Sequence, residues 1–213
     1  MASLPMDAHP GTKWVYGYST DILGAVIERA SGMPLDQFLK TRIFDPLAMS
    51  DTYFYLPKEK AGRLATVYTP KEGEALKPAP IAGTMDSQGA YLDGPRKSFS
   101  GGAGLLSTAK DYYSFLQMMA NGGELNGKRI ISSHTVNLMT ANHFPEGVSN
   151  EPGVGFGLGF SVLLDLGKRG TPGTLGEFGW GGAYGSTYWV DPAEELVVVY
   201  FTQVRPSGIV KDQ

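Results

Sequence analysis

The feature that most restricts how this chain can fold is a pair of β-rich runs near its C-terminal end. Ser186-Thr187-Tyr188-Trp189-Val190 leads into Asp191-Pro192-Ala193-Glu194, and Leu196-Val197-Val198-Val199-Tyr200-Phe201 follows. Runs of β-branched and aromatic residues around a short Pro-containing turn predict an antiparallel hairpin. In the second run Val197, Val199 and Phe201 alternate with Leu196, Val198 and Tyr200, so both faces are apolar. Such a strand is expected to be covered on both sides. Just ahead of the hairpin, Glu177-Phe178-Gly179-Trp180-Gly181-Gly182-Ala183-Tyr184-Gly185 carries glycine at every second or third position. These glycines are expected at the edge or end of a central sheet. Glycine in a strand marks a close approach by a ligand or another backbone. A backbone N–H in that place could face a developing oxyanion. A tight bend packed against a helix would use the same residues, and spacing alone leaves both readings open.

At 213 residues the chain suits one domain, or two small ones. A formal net charge of −3 argues against a nucleic-acid partner. With no cysteine, disulfides and thiolate metal sites are excluded. His9, His134 and His143 lie far apart and lack a metal-ligand spacing, so no metal or other cofactor is expected. No apolar run has the length of a membrane span, so no membrane partner is expected. Met1-Ala2-Ser3-Leu4-Pro5 has no basic stretch followed by an apolar one, so no signal peptide is read and the default compartment is cytoplasmic.

Along the chain, Trp14-Val15-Tyr16-Gly17-Tyr18 precedes a helix that Ser19 or Thr20 can cap, with Ile22, Leu23, Val26, Ile27 and Ala30 at helical spacing. Gly32 stops this helix, and Pro34 starts another that presents Leu35, Phe38, Leu39 and Arg42 and ends at Asp45-Pro46-Leu47. Residues 50–100 carry Pro57, Pro70, Pro78, Pro80 and Pro95 and predict an irregular stretch, either a wall or lid of a site or a peripheral excursion. Tyr112, Phe115, Leu116 and Met119 mark a further helix closed by Gly122, and Ser107 is its expected cap. Asn121-Gly122-Gly123 and Asn126-Gly127 are turns, and a shorter helix begins at Ser132 or Ser133. Phe156, Leu158, Phe160 and Val162 suggest one strand between Gly153 and Asp165.

Several of these stretches together resemble the serine β-lactamase-like superfamily, which includes class C β-lactamases, D-Ala-D-Ala peptidases and family VIII carboxylesterases. The matching pieces are H-P-G-T-K-W-V-Y-G-Y-S-T-D-I-L-G (9–24), V-I-E-R-A-S-G (26–32), I-F-D-P-L-A-M-S-D-T (43–52), S-G-G-A-G-L-L-S-T-A-K-D (100–111) and F-G-W-G-G-A (178–183). Each alone is weak, but the series in order is specific. The resemblance implies an α+β fold, with an antiparallel sheet flanked by helices, of β-lactamase/transpeptidase type and incomplete in this chain. It makes 1–213 the C-terminal portion of a serine hydrolase domain, with residues 1–150 helical and loop-rich and 151–213 supplying sheet strands.

Catalysis in the resembled family rests on three motifs: Ser-x-x-Lys with the nucleophile, a tyrosine motif, and Lys-Thr-Gly or Trp-x-Gly on a strand at the sheet edge. Tyr16-Gly17-Tyr18 matches the second, with Tyr16 as the catalytic tyrosine, and Trp180-Gly181-Gly182 matches the third. The same alignment makes the Ala183 N–H an oxyanion-hole donor. A serine hydroxyl is a poor nucleophile until a base takes its proton. A phenol near pKa ~10 can be that base only beside a cation, the role of the motif lysine. The Ser-x-x-Lys helix belongs ahead of the tyrosine motif, and no such string stands there. The string Ser107-Thr108-Ala109-Lys110 occurs after it and is read as a helix start rather than a nucleophile.

Tyr18 in the third place of the tyrosine motif and Trp180 in place of a lysine favour esters of neutral alcohols over β-lactams. The expected function is therefore a carboxylesterase acting on short acyl esters, a small-molecule substrate, with the nucleophile segment missing from this chain. Gly17, where the resembled esterases often carry Ser, is a departure. A catalytically inactive fragment or binding module on the same scaffold is the first alternative, and a β-lactamase or D-Ala-D-Ala peptidase relative the second. A homo-oligomer or a complementing chain is expected to cover the doubly apolar strand.

Overall fold

The structure is a computed structural model that describes residues 5–70, 75–80, 82–83 and 87–206. The expectations made for residues 1–4 and for the tail 207–213 lie outside the described residues. The chain divides into two compact units. One comprises Met1–Ser19, Leu116–Trp180 and Trp189–Val198, and the other Thr20–Phe115, Gly181–Tyr188 and Val199–Gln213.

The second of these units is largely helical and irregular. Helix α1 (Ser19–Ser31) has Asp21 in its first turn and Arg29 in its last, the charge order that suits the helix dipole. Gly32 ends it at φ +69, a conformation glycine adopts without a Cβ clash. Of the apolar residues at helical spacing, Ile22, Leu23 and Val26 are 51–54% exposed, whereas Gly24 is buried. A Cβ on Gly24 would lie 3.0 Å from Leu35 Cδ2, so this glycine lets α1 close on α2 (Leu35–Leu39). Helix α2 runs on as a π-helical turn, Lys40–Phe44, that buries Phe44.

The described residues between 50 and 100 are largely irregular, as expected. They hold a 3₁₀ helix (Lys58–Arg63), the short paired strands β1 (Tyr68–Thr69) and β2 (Lys77–Pro78), and the one-turn helix α3 (Gly89–Asp93). Helix α4 (Ala109–Ala120) is capped by Thr108, whose Oγ1 accepts from the Asp111 N–H at 3.1 Å, and not by Ser107. The Ser107 hydroxyl instead pairs with Thr52 Oγ1 at 2.8 Å. Buried Asp111 accepts from Thr52 Oγ1 at 3.0 Å and from the Asp51 N–H at 2.7 Å, which ties the start of α4 to the 51–52 turn.

The other unit holds the paired strands β3 (Glu124–Leu125) and β4 (Lys128–Arg129), joined by Asn126 and Gly127 at φ +50 and +73. Positive φ at both positions is the geometry of a two-residue hairpin loop. Helix α5 (Ser133–Met139) is capped by Ser132, which accepts from the Thr135 N–H. The stretch 153–165 is a hairpin rather than the single strand its alternation suggested. Strand β5 (Val154–Phe156) pairs antiparallel with β6 (Ser161–Leu163) in the register Val154↔Leu163 and Phe156↔Ser161. Gly159 at φ +102 and a Gly157 N–H bond to Phe160 O (2.7 Å) reverse the chain between them. A short helix, α6 (Leu166–Arg169), follows.

Strands β7 (Phe178–Gly181), β8 (Thr187–Asp191) and β9 (Leu196–Tyr200) complete a five-stranded sheet in the order β5-β6-β7-β8-β9. The hairpin that most constrained the sequence is therefore present, with its turn at 192–195. Strand β7 lies between β6 and β8 and is interior rather than at the sheet edge; Gly179 pairs within it and Gly181 ends it. Strand β9 ends the order and is not covered on both sides: Leu196 and Tyr200 are exposed and Val197–Val199 half-buried. An end strand lacks a neighbour on one side, so apolar residues on both faces do not suffice to bury it. Leu116, Met118 and Met119 are buried, as are Val162, Phe178 and Val190 from the sheet. Burial of each such side chain contributes ~1.5–3 kcal/mol.

Candidate active site

The tyrosine motif lies on extended chain that leads into α1. Trp14 anchors it, with ring centroids 4.5 Å from Phe156 and 5.3 Å from Phe144. Tyr16 stands out from this anchor and is 74% exposed. Trp180 projects from β7, whose backbone is fixed by the Ser161 hydroxyl donating to Gly179 O at 2.8 Å. The Tyr16 and Trp180 rings stack, with centroids 6.3 Å apart and planes 23° from parallel. Trp180 also meets the edge of Phe156 at 5.0 Å. The structure thus brings together two stretches 164 positions apart, 16 and 180, that the sequence marked independently.

Beyond Trp180 the chain passes through Gly181 and Gly182 into a tight turn. The Gly182 N–H donates to Ser186 O at 2.7 Å and the Gly185 N–H to Gly182 O at 3.0 Å. Gly185 requires its glycine, at φ +81. Gly181 and Gly182 do not: a Cβ on either would meet only Ser186, at 3.4–3.5 Å, which is ordinary contact. Their lack of side chains is therefore not explained by a tight bend packed against a helix. Ala183 is exposed, and its N–H meets no acceptor among the described residues. The turn is braced by Thr202, whose hydroxyl lies 3.1 Å from Tyr184 O and 3.0 Å from Gly185 O.

Two other tyrosines are held as neutral phenols. Tyr112 and Tyr188 meet edge to face at 4.9 Å, and burial pushes both hydroxyls up from the usual phenol range. Loss of a proton there would leave a charge in an apolar setting, so neither suits a base. Ser107 sits in the Thr52–Asp111 network described above, and Lys110 is exposed. A surface hollow of about 590 Å³ lies between residues 57–59 and 92–96 and is lined by charges of both signs, Lys58 and Arg96 with Glu59 and Asp93. It contains none of the residues marked by the motifs. At the start of β7, burial raises the Glu177 carboxyl, and the Asp191 carboxylate raises it further.

Sequence reasoning missed Phe144, Phe156 and Asn142 as members of this neighbourhood. Asn142 Oδ1 accepts from the Phe144 and Phe156 N–H groups, each at 3.1 Å. The available signal was the run Gly153-Val154-Gly155-Phe156-Gly157-Leu158-Gly159, whose alternate glycines repeat the habit of 179–185. By periodicity alone that run predicts only a strand.

The helices and antiparallel sheet match the β-lactamase/transpeptidase class of fold seen in solved structures of which the chain covers about half. Residues 1–211 match the family described as Beta-lactamase, and the chain belongs to that family. Protein Rv1367c of Mycobacterium tuberculosis is 33% identical over 218 residues, a match covering 97% of this chain and 53% of that protein. Esterase EstB of Burkholderia gladioli is 32% identical over 227 residues, covering 98% and 54% respectively. The solved structure of EstCE1, a hydrolase with promiscuous acyltransferase activity, superposes with a TM-score of 0.78 at 29% identity, covering 94% of this chain and 54% of that one. The chain spans about half the length of the curated relatives it matches.

Proposed function

We propose that this chain carries the proton-accepting tyrosine and the oxyanion-binding strand of a serine hydrolase, and that the whole protein is a carboxylesterase acting on short acyl esters. The observation that carries the reading is the Tyr16–Trp180 stack. In this scheme a serine hydroxyl from a Ser-x-x-Lys segment outside these 213 residues attacks the ester carbonyl. Its proton passes to the Tyr16 phenolate, which the motif lysine stabilises. As negative charge forms on the carbonyl oxygen, the Ala183 N–H donates a hydrogen bond to it. Collapse expels the alcohol, which takes the proton from Tyr16 and leaves an acyl-serine. Water, activated by the same phenolate, then releases the acid.

An uncharged aromatic wall supports an ester of a neutral alcohol. Trp14, Tyr16, Phe156 and Trp180 offer no cation for a substrate carboxylate. That EstB is an esterase and EstCE1 a hydrolase with promiscuous acyltransferase activity supports ester hydrolysis.

The test uses p-nitrophenyl butyrate and a fluorophosphonate probe that traps activated serines. The chain alone is expected to show neither turnover nor label. Fused to an upstream segment bearing Ser-x-x-Lys it gains both, and Tyr16→Phe then lowers turnover ~10²–10⁴-fold. Turnover by the chain alone that Ser107→Ala abolishes overturns the assignment of the nucleophile. Hydrolysis of nitrocefin in preference to the ester overturns the substrate class.

A further inference from the structure

We infer that Phe156, locked in place by Asn142, is the positioning residue that sets the geometry of the Tyr16–Trp180 pair. This inference rests on the reading of Tyr16 and Trp180 given above. Among the described residues the Tyr16 ring has two aromatic neighbours, Trp180 at 6.3 Å and Trp14 at 6.5 Å. Both of those rings meet Phe156, Trp14 at 4.5 Å and Trp180 at 5.0 Å with planes 81° apart. One phenyl ring therefore supports both partners of the exposed phenol. Aromatic pairs at these separations prefer particular tilts, so a fixed ring transmits orientation as well as position.

Phe156 is itself held from the backbone side. Its N–H donates to Asn142 Oδ1 at 3.1 Å, and its carbonyl accepts from the His143 N–H at 2.8 Å. The same Asn142 oxygen takes the Phe144 N–H, and the Phe144 ring lies 6.1 Å from Phe156 and 5.3 Å from Trp14. Asn142 thus joins the strand that carries Phe156 to the loop that carries Phe144, and both rings bear on Trp14. Glycine at 155 leaves the room this carboxamide needs, since a Cβ there would stand 2.5 Å from Asn142 Oδ1. A side chain that neither touches the reacting atoms nor carries a charge can still set their alignment, and misplacement by about 1 Å costs ~10²-fold in rate.

The test reads the Tyr16 ring directly in this chain by NMR, with ¹³C-labelled tyrosine and assignment through Tyr16→Phe. Trp180→Ala defines the shift of Tyr16 without its stacking partner. Phe156→Leu is expected to move the Tyr16 resonances at least half of that way, while Phe156→Tyr and the control Phe160→Leu leave them near the starting position. Asn142→Ala is expected to act in the same direction as Phe156→Leu and Asn142→Asp, which keeps the accepting oxygen, to restore the shift. These two variants test the inference independently should Phe156→Leu fail to fold. In the serine-supplied protein, Phe156→Leu is expected to lower kcat about 10–100-fold with KM nearly unchanged. Tyr16 resonances that stay in place in both Phe156→Leu and Asn142→Ala overturn the inference. Shifted resonances in a protein whose unmodified form hydrolyses no ester overturn the proposed function and leave the positioning role standing.

Discussion

Replacing Gly155 by alanine is a small change that the structure makes expensive. Gly155 lies in β5 opposite Val162 and is buried. An alanine Cβ would stand 2.5 Å from Asn142 Oδ1, 2.6 Å from its Cγ and 2.7 Å from Leu164 Cδ1. Room can be made only by turning the Asn142 carboxamide away or by shifting β5. Turning it away leaves the Phe144 and Phe156 N–H groups without their acceptor, at about 1 kcal/mol each. Shifting the strand instead carries an overpacking cost of about 1–3 kcal/mol. Either route, at about 1–3 kcal/mol, lowers Tm by about 2–12 °C for a chain of this size. Thermal and urea unfolding followed by circular dichroism measure both quantities. Gly62→Ala is the matched control, because a Cβ there meets nothing within 4 Å. Its expected effect is neutral or stabilising, by up to ~1 kcal/mol. A Gly155→Ala protein that melts within ~2 °C of the parent would refute the claim that this glycine is needed for the Asn142 clamp.

Acid should weaken the fold through Asp51. Hydrogen bonds from Arg63 and then Lys60 hold its carboxyl well below the usual range, so its stabilisation is present above pH ~4 and is lost as pH falls below that. Asp51→Asn is therefore expected to flatten the acid side of a plot of Tm against pH, and an unchanged acid limb would exclude the role. Glu177 has the opposite sign: burial raises its carboxyl, so it destabilises increasingly as pH rises above ~4.3, and Glu177→Gln should raise Tm more at pH 7 than at pH 4. Leu116 is wholly buried, and Leu116→Ala should cost ~2–5 kcal/mol in urea unfolding, with a cost below 1 kcal/mol arguing against its place in the core. Thr202→Val removes the hydroxyl that braces Tyr184 O and Gly185 O, and in the serine-supplied esterase it should lower kcat ~10-fold or more with KM little changed. An unaltered kcat would separate the 182–186 turn from catalysis.

The parts of this protein that could be read from its sequence are those whose cause is local. The Asn126-Gly127 turn, the Ser132 cap and the 186–201 hairpin each follow from residues within a few positions of one another. Where a local signal has a neighbouring competitor, the local reading fails: Ser107 is the expected cap of α4, but Thr108 caps it, and the Ser107 hydroxyl is engaged by Thr52, 55 residues away. Alternation over 153–165 suggested one strand because periodicity does not register a reversal when apolar residues continue through it. The doubly apolar β9 shows the limit from the other side, since composition states what a strand could bury and its place in the sheet order states what lies beside it.

The site divides along the same line. Tyr16 and Trp180 were visible because each sits in a motif. Phe156 was not, because its importance is a matter of which rings it touches. A phenylalanine in a β-strand carries no mark that separates a core residue from a support for catalysis. The alternate glycines of 153–159 were the nearest thing to such a mark. Three of them explain themselves by what a Cβ would strike: the Asp165 carbonyl oxygen at Gly153, Asn142 Oδ1 at Gly155, and the Met139 carbonyl oxygen at Gly157. The last two contacts lie on the segment 139–144 that supports the aromatic wall. Here glycine spacing records where a strand must let another segment come close; at 181–182 packing gives no such reason, and the proposed esterase would use the space that glycine leaves for the ester carbonyl.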